Sequence, residues 1–133
     1  MKILFLCVAN SARSQMAEGL AKAILESNVG VYSAGSTPST LNPLAVEVLK
    51  EIGIDISNQY SKSVEDLSIK TFDYIITLCA EEVCPVYLGA GKKLHWSFPD
   101  PASEDKTVAL SKFREVRDGI LQKLKDERLF QIP

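Results

Sequence analysis

The first nineteen residues, MKILFLCVANSARSQMAEG (1–19), contain the change of pattern that decides the fold. Residues 2–7 (KILFLC) form a short apolar run of the kind found in strands buried on both faces of a parallel sheet. From Ser14 onward the apolar residues recur every three or four positions, which predicts a helix; they are Ala17, Leu20, Ala21 and Ile24. The chain therefore opens with a strand, a tight polar loop and a helix, and Cys7 stands where the strand meets the loop.

Strand-like and helix-like segments alternate along the rest of the chain. Further strands are predicted at 29–34, 73–78 and 93–96, and helices at 42–52, at 63–70, where the pattern is weaker, and at 107–127. The stretch 80–92, which contains Pro85 and two glycines, is interpreted as a loop or a fragile helix. This alternation predicts right-handed βαβ units in a single-domain three-layer α/β/α fold with a four-stranded parallel sheet, flavodoxin-like in arrangement.

The second helix carries the clearest start and stop signals. Asn42 is a good N-cap, Pro43 suits the first helical position, and Gly53 suits the end. The apolar stripe of this helix is predicted to consist of Ala45, Val48, Leu49 and Ile52.

Composition narrows the class of protein and of partner. The 133 residues are 46% hydrophobic and 24% charged, as expected for one globular domain spanning 1–133 and for a monomer. A net charge of −2 argues against nucleic acid or an anionic membrane as the main partner. No apolar run approaches the roughly 18 residues of a membrane span, and the run at 3–9 is short for a secretion signal. Three cysteines, an odd number, favour free thiols in a reducing compartment, so we expect a cytoplasmic protein without a bound metal.

The loop after the first strand is suited to bind an oxyanion. Successive backbone N–H groups and a helix N-terminus form an anion-binding nest, here built by Val8, Ala9, Asn10, Ser11 and Ala12. Arg13 can add a bidentate fork, and Ser14 can hydrogen-bond a Cys7 thiolate, which the arginine and the helix N-terminus favour over the thiol. The alternative is that Cys7 packs as a small hydrophobic residue at a strand end. Because Cys-x5-Arg-Ser stands between a buried strand and a helix, we predict a nucleophile.

CVANSARSQMAEG (7–19) resembles the signature loop of the low-molecular-weight tyrosine phosphatase fold, specifically its thioredoxin-coupled arsenate reductase branch. The similarity continues through VYSAG (31–35), NPLAVEVLKEIGIDIS (42–57), ITLC (76–79), HWSFPDPA (95–102) and FREVRDGI (113–120). The resemblance implies the low-molecular-weight phosphatase fold and an enzyme that reduces arsenate to arsenite, with phosphate or sulfate as analogues. It implies no bound cofactor, since reduced thioredoxin would supply the electrons.

The resemblance also implies a role for each candidate catalytic residue. Cys7 would attack arsenate, held by Arg13 and the loop amides, while Asp100 would protonate the leaving oxygen. Cys79 would attack Cys7 and release arsenite, and Cys84 would attack Cys79 to leave a disulfide for thioredoxin. The carboxyl ends of parallel strands lie at the same edge of a sheet. Because Cys7 and Cys79 come at the carboxyl ends of the first and third predicted strands, we expect them at the same edge. A helical 80–88 would hold Cys79 and Cys84 about 140° apart around the helix axis. We therefore expect 80–92 to rearrange on oxidation and to expose Val83, Val86, Tyr87 and Leu88 to the reductant.

Other interpretations remain open at this point. A low-molecular-weight phosphatase needs only Cys7, although Ala102-Ser103 replaces the aromatic pair that follows Asp-Pro in that branch. A thiol redox sensor or oxyanion-binding regulator is a non-enzymatic alternative, and Asp100 would then be a turn residue. Cys79 and Cys84 could also be packing residues, or zinc ligands with His95, although His95 is interpreted, like Trp96, as structural. Glutaredoxin is the alternative to thioredoxin.

One position departs from the pattern of relatives that bind potassium beside the signature loop. Asn10, Glu18 and Ser33 match three of the ligand positions, but Lys62 stands where the pattern has an aspartate. A lysine ammonium there would repel the cation and could occupy its site. We therefore expect activity that does not depend on potassium.

Overall fold

The computed structural model describes residues 1–80 and 89–126, which contain a four-stranded parallel sheet and three α-helices. The strands are Lys2–Cys7 (β1), Gly30–Gly35 (β2), Thr71–Thr77 (β3) and Ala90–His95 (β4), in the order β2-β1-β3-β4. The helices are Arg13–Ile24 (α1), Pro43–Lys50 (α2) and Lys106–Asp126 (α3). The strand order confirms the predicted flavodoxin-like arrangement, with β1 and β3 at the centre.

Strand β1 is buried on both faces, as its continuous apolar run predicts. Because successive side chains of a strand point to opposite faces, its residues divide between two cores. Ile3 and Phe5 pack with residues of all three helices, whereas Leu4 and Leu6 pack against Leu67 and its neighbours. The second face is covered in part by the segment around Val64–Asp66, where the helix predicted over 63–70 is only a single 3₁₀ turn.

Two further predictions of element boundaries are wrong. Strand β4 starts at Ala90, not at 93, and it includes Gly91, whose φ is 148° and where a Cβ would collide with the Phe72 carbonyl oxygen. Helix α2 ends at Lys50, so Ile52 lies beyond it and is 41% exposed. The predicted start and stop signals of α2 hold, since Asn42 Oδ1 accepts a hydrogen bond from the backbone N–H of Leu44 at 2.8 Å and Gly53 has φ 81°.

Ion pairs join α2 to α3 on the surface of the helical layer. Glu51, which follows α2, accepts hydrogen bonds from Arg114 at 2.7 Å and from Arg117 at 2.7 Å. The hydrogen bond from Arg114, supported by Arg117, lowers the pKa of Glu51 from 4.5 to about 2. Arg117 also donates to the Val48 carbonyl at 2.9 Å, so it closes the C-terminal end of α2.

The carboxyl ends of β1 and β3 lie side by side. Leu6 pairs with Thr77, and the backbone N–H of Leu78 donates to the Leu6 carbonyl at 2.9 Å. Cys7 and Cys79 therefore follow neighbouring strands at one edge of the sheet, and both side chains are buried. No helix within residues 1–80 and 89–126 is long and apolar enough to cross a bilayer.

Candidate active site

A cavity of about 200 Å³ opens at the carboxyl end of β1. It is lined by Cys7, Val8, Ala9, Ser11, Ala12, Arg13 and Asp100. The structure thus brings the predicted nucleophile, most of the predicted oxyanion loop and the predicted acid to one site, although Asp100 lies 93 residues after Cys7 in the chain. The volume of the cavity suits a small anion.

The backbone of the loop turns its carbonyl groups away from the cavity. N–H groups of the segment 37–42 donate to the carbonyl oxygens of Val8, Ala9 and Ser11 at 2.9, 3.1 and 2.9 Å. In a trans peptide the N–H of the next residue points opposite to the carbonyl, and the described chain contains no cis peptide. The following N–H groups therefore point away from 37–42, as required of an anion nest.

Gly35 allows the end of β2 to lie directly against this loop. A Cβ at position 35 would collide with the Val8 carbonyl oxygen and would lie 2.9 Å from the Asn10 nitrogen and 3.0 Å from the Cys7 carbonyl oxygen. The lack of a side chain at Gly35 is therefore part of how the loop is held.

Asn10 is buried and is the residue around which the loop is organised. Its φ of 49° is the left-handed conformation that asparagine tolerates. Its Oδ1 accepts hydrogen bonds from the Lys62 backbone N–H at 3.0 Å and from Gln15 Nε2 at 3.1 Å. Because a backbone N–H can only donate, the amide orientation is fixed, and Nδ2 donates to Ser14 Oγ at 2.7 Å and to Ser33 Oγ at 3.1 Å.

Ser14 lies between Asn10 and the predicted nucleophile. Its Oγ is 2.8 Å from Cys7 Sγ, and both residues are buried. Since Asn10 Nδ2 only donates, Ser14 accepts from it and keeps its own proton for the sulfur. A hydrogen bond that Ser14 donates to the sulfur is stronger when the sulfur carries a charge, because charge-assisted hydrogen bonds are stronger than neutral ones.

Arg13 and Asp100 both line the cavity. The guanidinium of Arg13 donates to the Phe98 carbonyl oxygen at 3.0 Å, and the Phe98 N–H donates to the Leu78 carbonyl at 3.2 Å. Asp100 follows two residues later and is exposed; its Oδ1 accepts from the Ala102 N–H at 3.1 Å. That bond closes a turn at the carboxylate and leaves Oδ2 toward solvent or substrate.

A buried acid and a lysine extend the Asn10 network. Ser33 Oγ donates to Glu18 Oε1 at 2.6 Å, and Lys62 Nζ lies 3.6 Å from the same oxygen and 3.5 Å from Ser33 Oγ. Lys62 Nζ also donates to the Tyr60 carbonyl at 3.0 Å. Burial lowers the pKa of Lys62, while the charge of Glu18 opposes that shift. The ammonium thus lies beside two of the oxygens that the sequence pattern associates with a cation.

Several polar residues that support the loop were not predicted from the sequence. Gln59 Nε2 donates to Gln15 Oε1 at 2.8 Å, and Ser61 Oγ donates to the Ala9 carbonyl at 2.8 Å. The segment 57–62 has no helical or strand periodicity, so no signal in the sequence marks these contacts. Tyr60 also contacts Lys62, whose Nζ lies 4.9 Å from the ring centroid.

The remaining predicted residues divide between buried, structural and undescribed positions. Cys79 is buried beside β1, whereas Cys84 and the apolar residues expected to become exposed, Val83, Val86, Tyr87 and Leu88, lie outside the described residues. His95 Nδ1 is hydrogen-bonded to Thr77 Oγ1 at 2.7 Å, and Trp96 packs on Phe5, in keeping with structural roles. Among residues 1–80 and 89–126, no group of three or more His, Cys, Asp or Glu side chains is placed to hold a metal ion.

Known proteins similar to this chain share its length and architecture. An arsenate reductase of Staphylococcus saprophyticus is 46% identical over 125 residues, which cover 92% of each chain. An arsenate reductase of Staphylococcus aureus is 47% identical over 120 residues, covering 89% of this chain and 88% of that one.

Solved structures agree with these relatives. An arsenate reductase in a phosphate-binding state superposes with a TM-score of 0.76 at 33% identity and covers 94% of both chains. A thioredoxin-dependent arsenate reductase of Corynebacterium glutamicum gives a TM-score of 0.70 at 36% identity, covering 96% of this chain and 62% of that one. The family model described as low molecular weight phosphotyrosine protein phosphatase matches residues 2–128. The chain therefore belongs to the low molecular weight phosphotyrosine protein phosphatase family.

Proposed function

We propose that this protein reduces arsenate to arsenite, with Cys7 as the nucleophile and thioredoxin as the external source of electrons. The observation that carries the proposal is the single cavity lined by Cys7, the loop 8–13 and Asp100. Arsenate reductases at 46% and 47% identity support arsenate as the substrate. A thioredoxin-dependent relative supports the choice of reductant.

In the first step the Cys7 thiolate attacks arsenic(V) and a sulfur–arsenic bond forms. An arsenic–oxygen bond breaks, and Asp100 gives a proton so that the hydroxide leaves as water. Arg13 and the loop amides hold the remaining oxygens and stabilise their charge in the transition state. Ser14 Oγ, 2.8 Å from the attacking sulfur, can donate a hydrogen bond to it.

In the second step Cys79 attacks the Cys7 sulfur. The electron pair of the sulfur–arsenic bond stays on arsenic, which leaves as arsenite, and a Cys7–Cys79 disulfide forms. Cys84 then attacks Cys79 and frees Cys7, and thioredoxin reduces the Cys79–Cys84 disulfide. Cys79 is buried and follows the end of β3, which pairs with the end of β1 that carries Cys7, and this placement supports the order. The relay requires no bound cofactor, and its free thiols fit the cytoplasm.

The test couples the protein to thioredoxin, thioredoxin reductase and NADPH, and compares arsenate with an aryl phosphate. We expect NADPH oxidation with arsenate, and we expect Cys79→Ser and Cys84→Ser to abolish it. The hydrolysis of the aryl phosphate, if measurable, serves as the internal control, because it needs only the Cys7 loop and Asp100. Arsenate reduction that persists in both variants would refute the relay.

A phosphatase is the second candidate, and family membership is the observation that favours it. Its reaction uses the same Cys7, Arg13 and Asp100 but ends with water, so Cys79 and Cys84 have no part in it. The residues after Asp100-Pro101 are Ala102 and Ser103, which offer no aromatic surface to a phosphotyrosine ring. We therefore place phosphate ester hydrolysis as a side activity. Aryl phosphate turnover well above arsenate turnover would reverse this order.

A further inference from the structure

Phe98 connects the oxyanion site to helix α3. Its two backbone polar groups are both used by elements of the site: the N–H donates to the Leu78 carbonyl, and the carbonyl accepts from Arg13 at 3.0 Å. Pro99 and Asp100 follow directly, so the position of Phe98 affects both the arginine and the acid. The packing of the Phe98 side chain therefore affects the positions of Arg13 and Asp100.

The ring of Phe98 rests on Gly119, in the middle of α3. A Cβ at position 119 would lie 2.8 Å from Phe98 Cε1, 3.6 Å from Cδ1 and 3.7 Å from Cζ. Ordinary carbon–carbon contacts lie at about 3.5–4.0 Å, so the ring occupies the space that any other residue at 119 would fill. Glycine in a helix interior lowers the stability of the helix. At position 119 it leaves the space in which the Phe98 ring packs.

Beyond this contact the acid loop is separated from α3. A cavity of about 390 Å³ lies between the residues Phe98, Pro99, Asp100 and Pro101 and the residues Lys112, Glu115 and Val116 of α3. The ring of Phe98 lies at Gly119, on the same side of α3 as this cavity.

We propose that Phe98 and Gly119 are positioning residues for the reaction. Their contact sets the distance of the Phe98 backbone and of the Pro99-Asp100 segment from α3. The Phe98 carbonyl in turn orients the Arg13 guanidinium, and Asp100 is the proposed acid. One contact with α3 thereby determines the position of Arg13 relative to Asp100. The inference rests on the proposed roles of Arg13 and Asp100 but does not depend on arsenate being the substrate.

The test is the Gly119→Ala variant of the full chain. The added methyl group pushes the ring away, and displacements of this kind lower rates by roughly tenfold to a hundredfold. We expect kcat for arsenate to fall through Asp100, and the affinity for inorganic phosphate to fall through Arg13. Phosphate affinity is measured as protection of the Cys7 peptide from iodoacetamide, read by mass spectrometry. Ser111→Ala, at an exposed position of α3, also raises the helix propensity but does not alter the contact with Phe98. It should behave as the wild type.

Phe98→Leu in the Gly119→Ala background supplies the rescue. Leucine lacks the Cε1 atom that meets the new methyl group, so the double variant should recover part of the lost kcat and phosphate affinity. Unchanged kcat and phosphate protection in Gly119→Ala would overturn the proposal. A loss that only follows the fraction of unfolded protein, without rescue by Phe98→Leu, would overturn it as well. Failure of the wild type to reduce arsenate refutes the proposed function alone, because phosphate protection still tests the contact.

Discussion

The side-chain amide of Asn10 sets the direction of the hydrogen bonds that reach Cys7. Its oxygen accepts from the Lys62 backbone N–H, so its nitrogen donates to Ser14 and Ser33. Ser14 is left with its own proton to give to the Cys7 sulfur. An aspartate at position 10 has the same shape but donates no hydrogen bond, and it adds a negative charge close to the thiolate.

We expect Asn10→Asp to slow the alkylation of Cys7 by iodoacetamide at pH 7 by about tenfold or more, because hydrogen bonds to charged groups contribute about 1.5–3 kcal/mol. The rate is read by mass spectrometry of the Cys7 peptide. Asn58→Asp makes the same change of charge at an exposed position and should leave the rate unaltered. Equal rates in Asn10→Asp and the wild type would show that the amide does not control the thiolate.

Lys62 leads to a prediction about monovalent cations. Its ammonium lies beside Glu18 Oε1 and Ser33 Oγ, where the sequence pattern of some relatives places a potassium ligand. We expect kcat/KM to be the same in sodium and potassium chloride, and Lys62→Asp to gain a potassium response because it removes the ammonium and adds a carboxylate. Lys22→Met removes the other lysine paired with Glu18 and should show no such response.

A several-fold rise of wild-type kcat/KM on changing sodium for potassium would contradict this prediction. So would an identical response of Lys62→Asp and Lys22→Met, since only the former alters the group beside Ser33. The measurement is the same coupled assay, at constant ionic strength.

Single residues of the site were predictable when a short motif marked them. Cys7 and Arg13 belong to one loop, and Asp100 lies between two prolines, so local sequence is enough to single them out. Gln59 and Ser61 are different, because they support residues 44 and 52 positions away through side-chain hydrogen bonds. Nothing in a segment without periodicity marks such long-range partners.

At the scale of elements, the join between α2 and α3 depends on the charge of Glu51. Its carboxylate is hydrogen-bonded by Arg114 and Arg117, and the folded pKa is about 2, below the ordinary 4.5. A lowered folded pKa means that the carboxylate contributes stability above about pH 4.5, and that this contribution is lost as the pH falls towards 2. The side chain is partly exposed, so screening by salt reduces the effect.

We therefore expect Glu51→Gln to lower the urea midpoint at pH 7, and the difference from the wild type to shrink steadily below about pH 4.5. Glu26→Gln changes an exposed acid at the end of α1 and should leave the midpoint nearly unchanged at both pH values. A difference that stays constant from pH 7 to pH 3 would mean that the carboxylate charge is not what joins the helices.

The elements themselves were predictable where one periodicity held without interruption. Strand β1 has its predicted bounds, and α3 starts within one residue of its predicted start. The segment 63–70 satisfied a weak helical pattern, but its residues instead cover the second face of the sheet around Leu67. The start of β4 was predicted too late because a glycine at position 91 indicates a loop. In the structure Gly91 lies in the strand, where close approach of the Phe72 backbone leaves no room for a side chain.

At the scale of the whole molecule, the strand order decides which cysteines can react with each other. Because β1 and β3 are neighbours and parallel, Cys7 and Cys79 emerge at one edge although 72 positions separate them in the sequence. A net charge of −2 supplies no general attraction for anions, so we expect any anion site to depend on local groups such as the loop 8–13.

We expect Cys84→Ser to stop after one turnover with Cys7 and Cys79 joined. One equivalent of arsenate should release one equivalent of arsenite, and non-reducing peptide mass spectrometry should find the Cys7–Cys79 disulfide. Cys79→Ser, treated in the same way, should contain no disulfide at Cys7. A mixed disulfide between protein chains in place of the internal one would contradict the relay within one molecule.

The ammonium of Lys62 has a consequence for how the protein responds to its surroundings. A charge carried on a side chain cannot be dialysed away or exchanged, so the environment of Glu18 and Ser33 does not follow the salt composition outside. The charge is instead subject to pH, because burial lowers the pKa of Lys62 and its proton is lost sooner than from an exposed lysine. We therefore expect the network around Glu18 and Ser33 to respond to alkaline pH and not to the potassium concentration.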